Sequence, residues 1–184
     1  MPVGRGSRLP RWGCAVTAAN VVGLDLSITA TGCTYTDGTT ETWKYPAKHG
    51  DKRLGYIADE VAAMCLVPVD LVVIEDLPTH AHGAGITGMV HGAVRRELLR
   101  LGVPYALVTP ATLKKYATGK GNADKTAMAL ALFKRAGLEL ADDNQVDSWW
   151  LRAAGMHHLG CPVVDLPAAQ VDALAKVTWP EVTR

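Results

Sequence analysis

Residues Val21-Val22-Gly23-Leu24-Asp25-Leu26-Ser27-Ile28-Thr29-Ala30-Thr31-Gly32 form an apolar run that carries one carboxylate, Asp25. A run of this kind reads as a strand buried within a sheet. A charge at the end of such a strand is costly unless something cationic meets it. Two more acids stand in comparable places. Glu75 ends the apolar stretch Val69-Asp70-Leu71-Val72-Val73-Ile74-Glu75, and Asp147 precedes the apolar Ser148-Trp149-Trp150-Leu151.

Around these acids the chain alternates in a regular order. Strand one covers about 20–28, and two β-rich pieces, about 30–36 and 39–45, follow it, joined at the hairpin signal Asp37-Gly38. Leu54, Ile57, Ala58, Val61 and Cys65 recur at helical spacing over 51–66, and Pro68 ends that helix. A strand to Glu75, a helix over 84–101 and a strand over 103–108 come next. Helices are expected at about 110–116, 123–136 and 143–158, with a short amphipathic one at 168–176. A three-stranded antiparallel meander followed by alternating βα units is the order of the ribonuclease-H-like fold. The expected class is α/β, with a mixed five-stranded sheet flanked by helices on both faces.

With 184 residues, 48% of them hydrophobic and 20% charged, the chain reads as one globular domain with a sizeable core. Residues 1–19, rich in Gly, Pro and Arg, read as a flexible tail, 20–159 as the folded body and 160–184 as an extension. The net charge of +1 gives no global attraction to nucleic acid, so any basic surface must be local. Cys14, Cys33, Cys65 and Cys161 form no C-x-x-C pair, which argues for free thiols over a zinc site. No apolar run is long enough to span a bilayer and no signal-peptide pattern occurs, so a cytoplasmic, membrane-free protein is expected.

Adjacent strand ends in an open α/β sheet face one crevice, where such folds bind ligands. Asp25 and Glu75 belong there. Asp147 lies three residues after Asn144 and four after Asp143, so either can share its helix face. Converging carboxylates repel, which raises their pKa values unless cations bind. Hard oxygen ligands suit Mg²⁺ or Mn²⁺. Two such ions would activate water and stabilise the leaving oxygen in phosphodiester cleavage. Singly, each acid has a plainer role open to it: a turn or cap for Asp25, a salt bridge for Glu75, a helix cap for Asp143.

From Ala111 to Arg135 the chain carries Lys114, Lys115, Lys120, Lys125, Lys134 and Arg135 against one acid, Asp124. The turn Thr118-Gly119-Lys120-Gly121-Asn122 offers backbone N–H groups and flanking lysines to a phosphate backbone. A solvated helix face is the alternative.

These residues resemble the RuvC-type Holliday-junction resolvases, in the divergent form carried by actinobacterial phages. The resemblance covers roughly residues 20–158. Gly23 to Gly32 resembles the family's first acidic strand, and Ile74-Glu75 its second. The stretch from Thr109 to Lys125 carries the family's P-x-x-x-K, T-G-x-G and A-x-K elements at matching spacing, and Asp147 matches the closing acidic motif. The resemblance implies a metal-dependent endonuclease that cuts four-way junctions by paired symmetric nicks, as a homodimer. It assigns metal binding to Asp25, Glu75 and Asp147, phosphate stabilisation to Lys114 and Lys125, and backbone contacts to Lys115 and Lys120. The fourth ligand is open between Asn144 and Asp143, because many members place an acid or His where this chain has Asn144. Pro78 stands where members often carry an aromatic residue, so cleavage-sequence preference does not carry over. The helix at 84–101, with Gly88 and Gly92, resembles the dimerisation helix.

Three other readings compete. One is a less selective nuclease for flaps and forks. A second is a non-catalytic junction-binding protein, motivated by Asn144. The third is an actin-like or sugar-kinase-like ATPase, for which the chain is too short.

Overall fold

The computed structural model describes residues 19–77 and 84–183. Apart from Ala19, the tail expected over 1–19 lies outside them, as do Cys14 and the segment 78–83 that contains Pro78. Five strands are described: β1 (Val21–Asp25), β2 (Thr31–Thr34), β3 (Thr40–Trp43), β4 (Leu71–Glu75) and β5 (Tyr105–Val108). They form one sheet in the order β3-β2-β1-β4-β5. The first three pair antiparallel, whereas β4 runs parallel to both β1 and β5. The expected meander and parallel pair are both present.

Strand one is shorter than its apolar run suggests and stops at Asp25. The cause lies in the hydroxyls that follow. The Thr31 hydroxyl donates to the Ser27 carbonyl at 2.6 Å, and the Ser27 N–H donates back to Thr31 Oγ1 at 3.1 Å. These local bonds compete with the ladder and close a turn directly after the acid. Gly38, at φ 92°, turns the chain between β2 and β3 where Asp37-Gly38 predicted it.

Two helices cover one face of the sheet, α1 (Lys52–Met64) and α2 (Ala84–Leu101). Ile57 and Val61 of α1, with Val90, Val94 and Leu98 of α2, pack there on Val22, Leu24, Val72 and Ile74. The opposite face carries α3 (Pro110–Thr118), α4 (Lys125–Ala136) and α5 (Asp143–His158). These bury Leu113, Tyr116, Met128, Leu132 and Trp150 against Val21, Leu71 and Val73. The split follows strand alternation, because successive side chains of β1 and β4 point to opposite faces.

Helix ends follow capping chemistry. Thr109, Asp124 and Asp142 each accept a backbone N–H from three residues on, opening α3, α4 and α5. Helix α3 runs two residues beyond its expected end, to Thr118, and stops at Gly119 with φ 82°. Helix α4 starts at Lys125 and not at 123, because Asp124 is its cap. The helix expected over 168–176 divides into α6 (Ala168–Val171) and a 3₁₀ turn (Asp172–Lys176). This segment docks on α3, where Gln170 donates to the Tyr116 carbonyl at 2.9 Å, and Trp179 stacks on His158. No helix among the described residues is long and apolar enough to cross a membrane.

Candidate active site

The parallel pairing of β1 and β4 sets Leu24 beside Ile74, so the next residues, Asp25 and Glu75, end neighbouring strands side by side. Alternation then decides where they point. Val22, Leu24, Val72 and Ile74 serve the α1/α2 face, which sends Asp25 and Glu75 toward α5.

Helix α5 lies unusually close to the sheet at this point. A Cβ on Gly23 would stand 2.0 Å from the Ser148 carbonyl oxygen, and one on Gly32 would stand 2.1 Å from that of Asn144. Farther along α5, a Cβ on Gly155 would meet Val21 and Val73 at 2.7 Å. The side chains of Thr34 and Ser148 share a buried hydrogen bond of 2.8 Å, and Arg152 donates to the Thr36 carbonyl at 2.7 Å. These contacts hold the N-terminal half of α5 against β1 and β2, and so bring Asp147 to the ends of the strands. The signal available in the sequence was glycine inside a strand and inside a helix, which marks close backbone approach.

The electrostatics record the convergence. Burial, then the charges of Asp147 and Asp143, push the Asp25 carboxyl up to about 7. Burial, then Asp25 and Asp147, push Glu75 up to about 8, against the pull of Lys114. Burial and Asp143 raise Asp147 to about 6, opposed by Lys114 and Lys125. Among the described residues no hydrogen bond to any of the three carboxylates offsets this burial and repulsion. Three half-buried acids from three elements thus repel one another at one end of the sheet.

The neighbouring acids divide their roles. Asp142 caps α5 through the Gln145 N–H at 3.1 Å, accepts the Thr42 hydroxyl and pairs with Lys44 at 3.5 Å. The cap considered for Asp143 therefore belongs to Asp142. Asp143 forms an ion pair with Lys125, which holds its carboxyl below the usual range. The Asn144 side chain turns to Asp142 at 3.5 Å, and its backbone rests on Gly32.

The lysines separate into two groups. Lys114 and Lys125 act on the carboxylates, whereas Lys115 and Lys120 are exposed and do not figure among the charges that shift them. Lys120 lines a groove with Lys134 and Arg135 instead.

Among the described residues no three acidic, His or Cys side chains form a complete metal cage. A hard cation does not need one. Mg²⁺ keeps several waters and takes only one or two carboxylates plus substrate oxygens. An all-oxygen donor set whose pKa values burial and neighbouring acids raise fits such an ion on chemistry.

No family model matches the chain, and no curated protein is recognisably similar. Solved structures are. The RuvC structure of Thermus thermophilus is 22% identical, with a TM-score of 0.63 over 79% of this chain and 99% of that one. T. thermophilus RuvC in complex with a Holliday junction substrate is 21% identical, with a TM-score of 0.65 over 80% of this chain and 99% of that one. The fold is therefore the RuvC-like, ribonuclease-H-like fold.

Proposed function

We propose that this protein is a divalent-metal-dependent DNA endonuclease that resolves four-way junctions by paired symmetric nicks, acting as a homodimer. One observation carries the reading. Asp25, Glu75 and Asp147 reach one end of the sheet from three separate elements, have their pKa values raised by burial and by neighbouring acids, and have Lys114 and Lys125 as their cationic neighbours. Uncompensated charge of this kind is a cost to folding, and a function that needs cations explains its presence. The likeness to a RuvC bound to a Holliday junction suggests the substrate class.

In this reading Asp25, Glu75 and Asp147 hold Mg²⁺ or Mn²⁺, and Asp143 is the better candidate than Asn144 for a fourth ligand. The cation would supply positive charge to the scissile phosphate and ease ionisation of the attacking water. Lys114 faces Glu75 and Asp147 and is placed to neutralise a phosphate oxygen. Lys125, paired with Asp143, would exchange that partner for the phosphate. The turn closed by Ser27 and Thr31 keeps the Asp25 backbone fixed while substrate enters. On the far face of the sheet, α2 leaves Ile86 and Met89, three residues apart on one helix face, exposed at 54% and 47%, which supports its use in dimerisation.

The test is a synthetic four-way junction labelled on each arm and incubated with Mg²⁺. Paired nicks at symmetric positions are expected, with weaker cutting of a flap and of linear duplex. Absence of nicking at every Mg²⁺ and Mn²⁺ concentration overturns the proposal.

A further inference from the structure

We infer that the groove between α3, the 119–124 turn and α4 is a second DNA-backbone surface, separate from the carboxylate cleft, that holds a junction arm not being cut. The inference rests on the reading of the protein as a junction nuclease. The groove has a volume of about 540 Å³, and Thr118, Lys120, Asn122, Asp124, Lys134, Arg135 and Gln170 supply its polar lining.

The charge in this groove is unspent. Among the described residues, Lys120, Lys134 and Arg135 have no carboxylate within ion-pair distance. Arg135 donates only to the Asp165 carbonyl, at 3.4 Å. The acid lining the groove, Asp124, is committed to the Ala127 N–H as the cap of α4. All three cations are exposed. The walls, in contrast, are fixed. Thr118 Oγ1 donates to the Lys114 carbonyl and accepts the Lys120 N–H, and Gln170, 7% exposed, is bonded to Tyr116. Cations without partners on a preset frame suit sequence-independent phosphate contacts.

Its position separates the groove from the cleft. Lys125 and Lys134 are nine residues apart on α4, about half a turn out of phase. Lys125 turns to Asp143, whereas Lys134 faces the groove. None of the groove cations figures among the charges that shift Asp25, Glu75 or Asp147. The groove therefore lies apart from the carboxylates, beyond the reach of its cations on their charge.

A free phosphate or nucleotide offers the same chemistry as a DNA backbone. The length of the groove favours the polymer. On α4 the groove is lined from Ala127 to Arg135, about 12 Å of helix axis, a rise of about three phosphates on one strand. One small anion fills only part of a groove of that length.

The experiment measures binding of a four-way junction across a salt series, for wild type and for Lys134→Ala/Arg135→Ala. A second variant, Lys120→Ala, guards against a folding defect in the first, and melting curves check both. The expected result is several-fold weaker binding and a log–log salt slope lower by about 2 for the pair and about 1 for Lys120→Ala. For the Lys134→Ala/Arg135→Ala pair the loss falls on Kd and not on the single-turnover nicking rate at saturating protein. The control, Lys48→Ala/Lys52→Ala beside the other face of the sheet, leaves slope and affinity unchanged. Wild-type slope and affinity in folded groove variants overturn the inference. So does an equal loss in the control pair, or wild-type DNA binding in variants that have lost inorganic phosphate binding. A wild type that binds junctions with this groove dependence yet nicks none keeps the groove and discards the nuclease reading.

Discussion

Gly23 in the middle of β1 lies against Ser148 of α5 so closely that a Cβ there would stand 2.0 Å from the Ser148 carbonyl oxygen and 2.6 Å from the Arg152 nitrogen. Both opposing atoms are backbone, so no side chain can rotate away. The contact fixes how near α5 comes to the sheet, and with it how near Asp147 comes to Asp25 and Glu75.

Gly23→Ala is therefore expected to push α5 outward. Overpacking typically costs about 1–3 kcal/mol, and a rigid backbone opposite places this site at the upper end. A fall in melting temperature on the order of 10 °C should accompany loss of nicking. Gly55→Ala, in a helix with open space around it, is the counterpart and should raise the melting temperature slightly. Equal melting curves for Gly23→Ala and wild type would refute the packing account.

Asp25→Asn should separate stability from activity. The substitution removes a charge that burial and two neighbouring acids disfavour. Metal-free protein is then more stable by roughly 4 kcal/mol at pH 8, a rise on the order of 10 °C. Nicking should fall by a factor on the order of 10³ or more, since several kcal/mol of charge stabilisation go. Thermal melts and single-turnover nicking of the same preparation read both effects. A variant that cuts at the wild-type rate would remove Asp25 from the site.

The raised pKa values give stability a definite pH dependence. The ordinary values are 3.8 for Asp25 and Asp147 and 4.5 for Glu75, and in the fold they rise to about 7, 6 and 8. Between those limits the folded state holds more protons than the unfolded chain, so this contribution to stability falls as pH rises. Metal-free melting temperature should decline between pH 4 and 8 from this source. Added Mg²⁺ should raise it more at pH 8 than at pH 5, because binding requires the ionised carboxylates. The Asp25→Asn protein should show a shallower decline in the same titration.

Asp143 and Asn144 make opposite predictions as fourth ligand. The charge of Asp143 reaches Asp25 and Asp147, whereas the Asn144 amide is turned to Asp142. Asp143→Asn is expected to raise the Mg²⁺ concentration for half-maximal nicking several-fold. Asn144→Ala should leave it near wild type. The reverse ranking would give the place to Asn144. Folding stability should change by less than about 1 kcal/mol in Asp143→Asn, since its partner Lys125 is exposed.

Much of this molecule was legible along the chain. Apolar runs ending in acids located β1 and β4, helical spacing located α1, and α2 through α5 were expected as helical stretches. Neighbours in sequence determine those properties, through periodicity and capping. The ends of elements were less legible: side-chain hydroxyls stopped β1 at Asp25, and a cap delayed α4 to Lys125.

The sequence by itself determined that Asp25 and Glu75 end adjacent buried strands, because two such strands in a parallel pair leave their last residues side by side. Only the tertiary structure decided which of Asp142, Asp143, Asn144 and Asp147 meets them. The cap and first turn and a half of α5 carry all four, and the face that wins depends on how α5 sits on Gly23 and Gly32. Likewise the lysines of 114–125 formed one basic segment in the sequence, yet folding sent Lys114 and Lys125 to the carboxylates and Lys120 to a groove on the other side of α4. Local propensity fixes the phase of a helix, but long-range packing against the sheet fixes where that phase points.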